Sequence, residues 1–80
     1  MNCFTYILYS RSIDKYYVGQ AGDVENRVIQ HNSRKNLGAS DWVLKYKERF
    51  ETRSEAMNRE SEIKKKKRRS YIEKLIGDQQ

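Results

Sequence analysis

The beginning of the chain holds two short segments that are rich in aromatic and β-branched residues and are separated by a polar stretch. Residues 3–9 read CFTYILY and residues 15–19 read KYYVG, with SRSID between them. Such segments favour strands, and a short polar connection joins antiparallel neighbours, so a β-hairpin is predicted. Strand alternation allows Tyr6 and Tyr17 to share a face, depending on the register. The expected faces of the first strand are Phe4, Tyr6 and Leu8 on one side and Thr5, Ile7 and Tyr9 on the other.

A helix is expected next, over residues 24–33, followed by a third strand over residues 42–50. Asp23 precedes the helix and is placed to cap its free backbone N–H groups. The third strand contains Trp42 and Tyr46 and should supply much of the core. The inward side of the helix is expected to consist of Val24, Val28 and the aliphatic stem of Lys35.

Two capping boxes predict two further helices. Thr52 and Glu55 have the spacing at which a hydroxyl and a carboxylate satisfy each other's backbone N–H groups, so a helix should run from residue 52 to about residue 68. Ser70 and Glu73 repeat that spacing and predict a short final helix. The resulting order, β-β-α-β-α-α, is typical of an α+β domain.

Size and charge indicate one small domain with a polyanionic partner. Eighty residues correspond to a single domain, residues 1–80, with a small core. The 17 lysines and arginines outnumber the 11 aspartates and glutamates and give a net charge of +6. Such an excess favours binding to nucleic acid through its phosphates, although a basic protein that is merely soluble fits the same numbers.

The single cysteine and the hydropathy of the chain argue against a disulfide-bonded protein, a structural zinc protein and a membrane protein. Cys3 is the one cysteine, so no internal disulfide can form, and with His31 as the one histidine no structural zinc site is expected. No segment has the length and apolar character of a membrane span or a signal peptide. We therefore expect a soluble, cytoplasmic protein without membrane association, and a monomer in preference to an oligomer.

Glu60 is placed unusually for a carboxylate. The inward arc of its helix is set by Ala56, Met57 and Ile63, and Glu60 falls inside that arc at about 100° per residue. A carboxylate there is costly unless a cation receives it. One interpretation is a salt bridge to Arg27 or to a lysine. The other is an oxygen ligand for Mg²⁺ or Mn²⁺, since Mg²⁺ commonly uses one or two protein carboxylates.

Arg27 and His31 are four residues apart and therefore lie on the same flank of their helix. A guanidinium can bond two phosphate oxygens at once and stabilise the charge that grows during hydrolysis. His31 is the better general base by its ordinary pKa. Tyr6 and Tyr17 are either core residues or participants in the chemistry. Which of Tyr6, Tyr17 and His31 is the general base stays open.

Taken together, these residues resemble the GIY-YIG nuclease family. The resemblance rests on the order TYI, then YVG, an arginine ten residues after that tyrosine, a histidine four later, and the glutamate in SEAMNRESEIK. It is strongest to the small single-domain branch, which is similar to the nuclease domain of the bacterial excinuclease, and it covers residues 4–76. The chain departs from the pattern in three ways: Phe4 and Thr5 replace Gly-Ile, Gln20 replaces a lysine, and no asparagine follows Glu60 at the expected distance.

The resemblance implies a three-stranded antiparallel sheet flanked by about three helices, and hydrolysis of DNA phosphodiesters with one Mg²⁺ or Mn²⁺ ion. Tyr6 and Tyr17 correspond to the two motif tyrosines, one of which would orient or deprotonate the attacking water. Arg27 corresponds to the arginine that stabilises the phosphate. His31 corresponds to an assisting position, and Glu60 to the glutamate that binds the metal.

A run of six cations, residues 64–69, follows Glu60. It is either a solvated helix end or a patch that binds phosphates, and the position of Lys64 one turn beyond Glu60 favours the second. No base-reading constellation is present, so low sequence specificity is expected. The residues expected to contact nucleic acid are Gly19, Gln20, Lys64, Lys65, Lys67 and Arg68.

The leading hypothesis is therefore a metal-dependent endonuclease that cuts DNA with low intrinsic specificity, in DNA repair or recombination. The alternative is a catalytically silent module that binds nucleic acid on the same fold. A third hypothesis is an accessory protein whose basic tail docks on an acidic protein.

Overall fold

The computed structural model describes residues 2–66 and 68–79, and only the backbone of Gln79. The α+β class and the order β-β-α-β-α-α predicted from the sequence are confirmed. A short 3-10 turn, Asn36–Gly38, lies between the first helix and the third strand. None of the helices within the described ranges has both the length and the apolar character that crossing a membrane requires. The elements are β1 (Cys3–Ser10), β2 (Lys15–Ala21), α1 (Val24–Ser33), β3 (Trp42–Phe50), α2 (Arg53–Lys66) and α3 (Arg69–Gln79).

The sheet has the order β2-β1-β3, and both pairings are antiparallel. The hairpin pairs β1 with β2, and β3 returns along the free edge of β1, so β1 is central. In the hairpin register, Tyr6 lies opposite Gly19 and Leu8 lies opposite Tyr17. Tyr6 and Tyr17 are therefore diagonal neighbours on one face, with ring centroids 6.5 Å apart. The predicted shared face is confirmed.

Each face of the sheet carries its own core. The face with Tyr6 and Leu8 is covered by α1, while the face with Ile7 is covered by α2 and α3, as the alternation along β1 predicts. The buried members of the α1-side core are Tyr6, Leu8, Ala21, Val24, Ala39 and Trp42. The buried members of the α2-side core are Ile7, Val18, Tyr46 and Ile63.

A β-bulge in β3 lets one strand serve both cores. Leu44 pairs with Leu8 and Tyr46 pairs with Ile7, so Lys45 has no partner on β1. An extra residue in one strand reverses the faces beyond it. Trp42 therefore packs in the α1-side core and Tyr46 in the α2-side core, although a regular strand would place both on one face.

Two of the predicted helix caps are confirmed. The Asp23 carboxylate accepts a hydrogen bond from the backbone N–H of Asn26 at 3.1 Å, at the start of α1. The Thr52 hydroxyl accepts from the backbone N–H of Glu55, and the Glu55 carboxylate accepts from the backbone N–H of Thr52, both at 3.2 Å. These local bonds set where α1 and α2 begin.

The predicted capping box at the last helix does not form. α3 already begins at Arg69, and the Glu73 carboxylate instead accepts hydrogen bonds from Arg69 and from the Tyr16 hydroxyl. Arg69 also forms an ion pair with Asp14 at 2.6 Å. Ser70 therefore lies inside α3 and not at its N-cap, and the Glu73 carboxylate bonds one side chain of its own helix, Arg69, and one of β2, Tyr16. These contacts attach the start of α3 to the β1–β2 turn.

Two of the expected inward residues are exposed. Lys35 lies beyond the end of α1 with a left-handed φ of 52°, a conformation that ends helices, so its stem does not extend the buried stripe. Met57 is 46 % exposed. The buried arc of α2 is centred between Ala56 and Ile63, and at about 100° per residue Met57 lies roughly 110° from that centre. Glu60 lies only roughly 50° from it, at the margin of the buried arc.

Candidate active site

The Tyr6 ring lies directly across Gly19. A β-carbon added at Gly19 would be 2.6 Å from the Tyr6 hydroxyl oxygen, 2.8 Å from Tyr6 Cζ and 3.1 Å from Tyr17 Cε1. Contacts this short do not occur between real side chains, so the absence of a side chain at Gly19 is what allows the phenol to lie there. Gly19 is itself buried, so the role that the structure shows for it is steric: it leaves room for the Tyr6 ring. Its predicted contact with nucleic acid stays a prediction.

His31 lies against both tyrosines. The Tyr6 hydroxyl oxygen is 3.2 Å from His31 Nε2, within hydrogen-bonding distance. The Tyr17 and His31 rings have centroids 4.6 Å apart, and the Tyr17 and Trp42 rings pack edge to face with centroids 6.2 Å apart. The predicted site residues Tyr6, Tyr17 and His31 are thus brought into one cluster, which we call the tyrosine–histidine cluster.

Hydrogen bonds from Asn32 fix the position of His31. The Asn32 side chain accepts from the backbone N–H of Trp42 at 2.7 Å and donates to the Trp42 carbonyl at 3.1 Å. The Trp42 indole N–H donates to the Asn36 carbonyl at 3.1 Å. These bonds join the end of α1 to the start of β3, so the last turn of α1 is held over the sheet. No pattern along the chain predicts this attachment.

α1 presents two arginines beside the cluster. Arg27, His31 and Arg34 are spaced at i, i+4 and i+7 and therefore share one flank of the helix. Burial, Arg27 and Arg34 together hold the pKa of His31 below its usual value of 6.5. Both arginines are exposed and are therefore accessible to a phosphate. The prediction from sequence omitted Arg34, and its position seven residues after Arg27 was the available signal.

Tyr6 is held in its protonated form. Burial, followed by the nearby Tyr17, raises the pKa of the Tyr6 phenol to about 12, with Arg27 opposing and Glu60 adding to the rise. The side chain is 2 % exposed. At neutral pH the phenol therefore keeps its proton, and its hydroxyl can either donate to His31 Nε2 or accept from an Nε2–H, according to the tautomer of the neutral imidazole. Because the phenol is already protonated, the imidazole is the proton acceptor of the two groups.

Glu60 is paired within its own helix, α2, which packs on the face of the sheet opposite the α1-side core. Its charge is the last and smallest of the four causes of the shifted Tyr6 pKa, and among the described residues no hydrogen bond or ion pair joins Glu60 to the tyrosine–histidine cluster. Lys64, one turn later, bonds the Glu60 carboxylate at 2.7 Å, and the Glu60 side chain is 21 % exposed. The predicted salt bridge is therefore present, with Lys64 as the partner and not Arg27.

Glu60 is a candidate ligand for a divalent metal ion. Across residues 2–66 and 68–79 there is no group of three or more His, Cys, Asp or Glu side chains that could hold a metal ion. A site with one or two protein carboxylates still suits Mg²⁺, because this ion commonly takes one or two carboxylates and completes its shell with water and phosphate oxygens. The residues present thus fit Mg²⁺ or Mn²⁺ and do not fit a fully protein-enclosed site.

The residues expected to contact nucleic acid are spread over two surfaces. Gln20 and Arg27 line an open groove of about 310 Å³ at the β2 edge, together with Arg53. Lys65 and Arg68 line another groove of about 650 Å³, at the junction of α2 and α3. Lys64 forms an ion pair with Glu60. The predicted contact at Lys67 lies outside the described residues.

The His31 titration gives a direct test of this arrangement. We expect the imidazole to titrate below pH 6.5, and Arg34→Ala to raise its midpoint, because a positive charge that opposes protonation is removed. Since the folded state disfavours the charged imidazole, stability should fall as the pH drops from 6.5 toward the folded-state pKa. Two-dimensional NMR of the imidazole resonances measures the midpoint. Arg11→Ala, at an exposed turn position, is the matched control, and an equal midpoint in wild type and Arg34→Ala would contradict the arrangement.

Comparison with known proteins identifies the family of this chain. The family described as GIY-YIG catalytic domain matches residues 2–74. The UPF0213 protein SSP2268 of Staphylococcus saprophyticus is 40 % identical over 68 residues, covering 78 % of this chain and 79 % of that protein. The UPF0213 protein NP_0776A of Natronomonas pharaonis is 34 % identical over 80 residues, covering 95 % and 92 % respectively.

A solved structure shows the same fold. The solution NMR structure of the UPF0213 protein BH0048 from Bacillus halodurans superimposes with a TM-score of 0.60 and 31 % sequence identity. The match covers 96 % of this chain and 84 % of that one. The family match spans nearly all of the chain, including every element from β1 to the first half of α3. The chain therefore belongs to the GIY-YIG family, whose members are generally endonucleases.

Proposed function

We propose that this protein is a metal-dependent endonuclease that hydrolyses DNA phosphodiester bonds with low intrinsic sequence specificity, in DNA repair or recombination. The observation that carries the proposal is the tyrosine–histidine cluster, on which the charges of Arg27 and Glu60 act. The Tyr6 hydroxyl contacts His31, while Arg27 and Glu60 both act on the Tyr6 phenol. The proposal thus combines a general base and a phosphate-binding cation on α1 with a carboxylate on α2, which are the kinds of group that assist phosphodiester hydrolysis.

Within this proposal, the chain's own residues have separate roles. Arg27 bonds the oxygens of the scissile phosphate and stabilises the charge that develops on them. His31 accepts the proton of the attacking water, because its lowered pKa leaves it neutral near pH 7. In this role the imidazole donates its Nε2–H to the Tyr6 hydroxyl oxygen, which leaves Nδ1 unprotonated and able to take the proton of the water, and the Tyr17 ring packs against the imidazole and limits its rotation.

Glu60 would hold the divalent cation. Its carboxylate is partly exposed and its partner Lys64 is an exposed, flexible side chain, so the pair can separate when a cation and a phosphate arrive. A bound Mg²⁺ or Mn²⁺ supplies positive charge next to the phosphate oxygens. Lys64, once released, can follow the phosphate backbone.

Plasmid and oligonucleotide cleavage tests the proposal. Purified protein with Mg²⁺ or Mn²⁺ should nick or cut DNA, and chelation of the metal should stop the reaction. Arg27→Ala and Glu60→Gln should each lower the single-turnover rate by about 100-fold or more, since each removes a group that acts on the developing charge. Binding to DNA should persist in both variants, because other cations remain.

Matched controls come from exposed positions away from the cluster. Arg11→Ala and Glu51→Gln make the same chemical changes in exposed loops and should leave the rate unchanged. Mn²⁺ should broaden NMR resonances around Glu60 in the wild type and not in Glu60→Gln, which reports on the metal independently of cleavage. DNA binding without any metal-dependent cleavage that these variants abolish would contradict the enzyme hypothesis.

One observation favours the second candidate, a catalytically silent DNA-binding module. Glu60 already has a cation at 2.7 Å in Lys64, so the carboxylate is satisfied without a metal. If the protein is such a silent module, neither the wild type nor Lys64→Gln would cut DNA. If the enzyme hypothesis holds, Lys64→Gln frees Glu60 and retains metal-dependent cleavage.

A further inference from the structure

The groove at the junction of α2 and α3 is separate from the tyrosine–histidine cluster. It has a volume of about 650 Å³. Its aromatic residue, Tyr71, packs against the α2-side core, whereas the cluster belongs to the α1-side core on the other face of the sheet. The lining residues are Lys65, Lys66, Arg68, Ser70, Tyr71 and Lys74.

The cations of this groove form no ion pair with a carboxylate in the described part of the chain. In the ranges 2–66 and 68–79, every ion pair of α2 and α3 involves Arg59, Lys64 or Arg69. The groove cations Lys65, Lys66, Arg68 and Lys74 form none with a described carboxylate. Four like charges around one concavity repel one another, and an anion that enters removes this repulsion.

Tyr71 makes the groove a fixed surface. Its ring is partly buried against the α2-side core. Its hydroxyl accepts a hydrogen bond from Arg59 at 3.2 Å, and Arg59 is in turn held by Glu48 and Glu62. Lys66 Nζ lies 5.6 Å from the ring centroid. The positive charges are therefore arranged around a rigid floor, which lowers the entropy lost when a ligand binds.

The position of the groove indicates what kind of anion it takes. Lys65 follows Glu60 by five residues on α2, a rise of about 7.5 Å, and at about 100° per residue it lies roughly 140° around the helix from Glu60. Because the domain measures 32 × 27 × 23 Å, one continuous nucleic-acid chain is long enough to contact the cluster and the groove, although they lie on opposite faces of the sheet. Its floor and walls provide no carboxylate or base-reading pair, so the ligand feature that they match is the repeated phosphate.

We propose that the α2–α3 groove is a second nucleic-acid site, which binds the phosphate backbone of a segment that is not being cut. The part of the proposal that concerns cutting rests on the proposed function, whereas the binding itself does not. The groove contributes affinity and holds the substrate, and the cluster on the other face carries out the hydrolysis. Loss of groove cations should therefore weaken binding and leave the rate of the bound complex unchanged.

The test compares Lys65→Gln/Lys74→Gln with Lys15→Gln/Lys45→Gln, a control pair of exposed lysines on the strands that removes the same charge. Binding of duplex DNA is measured by fluorescence anisotropy in EDTA, at about 50 to 200 mM salt. We expect the groove variant to raise Kd about tenfold at the lower salt. The slope of log Kd against log salt should fall by about 1.8, which corresponds to two phosphate contacts. The control pair should change both quantities much less.

Equal effects of the two pairs on Kd and on the salt slope would overturn the proposal. Polyglutamate serves as a competitor: if it displaces DNA from the wild type as well as unlabelled DNA of equal charge does, the groove is a site for an acidic protein and the proposal is wrong. Because EDTA prevents cleavage, these outcomes do not depend on catalysis. A wild type that shows the groove effect but never cuts DNA contradicts the proposed function and leaves the second site standing.

Discussion

Replacing Gly19 with alanine is expected to lower the rate of DNA cleavage by about 100-fold, while the protein still folds and binds DNA. The new methyl group would lie 2.6 Å from the Tyr6 hydroxyl oxygen. Tyr6 is enclosed in the α1-side core and cannot swing aside as a unit, so the ring and the β2 backbone must both shift. A shift of this kind breaks the contact between the Tyr6 hydroxyl and His31. Displacements of about 1 Å in a catalytic group cost on the order of 100-fold in rate.

Three measurements separate the steric effect from general damage. Single-turnover cleavage gives the rate, anisotropy gives the affinity, and thermal unfolding should show a loss of about 1 to 3 kcal/mol from overpacking. Gly77→Ala is the matched control, because no atom lies within 4 Å of the added methyl group and alanine favours a helix. Wild-type cleavage in Gly19→Ala would contradict the role given to Tyr6.

Ile63→Ala is expected to have the largest effect on stability. Ile63 is 1 % exposed and joins α2 to the α2-side core, where it packs with Ile7, Val18 and Tyr46. Removing a buried side chain of this size costs about 2 to 5 kcal/mol, because transfer energy is lost and a cavity remains. The whole domain has a stability of about 4 to 12 kcal/mol at 80 residues. The variant should therefore be close to unfolding at physiological temperature.

Denaturant and thermal unfolding followed by circular dichroism would measure this loss. A decrease in Tm of roughly 8 to 40 °C is expected, at about 4 to 8 °C for each kcal/mol. Met57→Ala is the control within the same helix, since that side chain is largely exposed and should cost no more than about 0.5 kcal/mol. Equal losses at Ile63 and Met57 would mean that α2 is docked with a different face toward the sheet. Glu60 would then not lie near Tyr6.

Local structure could be predicted well from the sequence. The helix from Val24 to Ser33, its cap at Asp23 and the strand from Trp42 to Phe50 agree with the prediction. So does the capping box at Thr52. Each of these features depends on residues within a few positions of one another, which is the range over which alternation, periodicity and capping act.

Errors arose where distant partners compete with local ones. Glu73 was predicted to cap its own helix, but Arg69 and Tyr16 bond it instead. Lys35 was assigned to an inward stripe that ends two residues earlier. The bulge at Lys45, which sends Tyr46 to the opposite face from Trp42, has no signal in the alternation of the strand. Two of these errors depend on residues far apart in the chain or on strand pairing, whereas the end of α1 before Lys35 is local, because the left-handed backbone at Lys35 stops the helix.

The order of elements, the family resemblance and most of the candidate residues could be read from the chain alone, because they follow from local pattern and spacing. Two features of the site required the folded structure: the contact of the Tyr6 hydroxyl with His31 and the need for a glycine at position 19 beneath that phenol. Both depend on the register of β1 with β2 and on the docking of α1. The pairing of Lys64 with Glu60 is local, since the two residues are one helical turn apart. That Glu60 pairs with Lys64 and not with Arg27 was decided by the tertiary structure, because Arg27 lies on another helix and only position in space determines that contact.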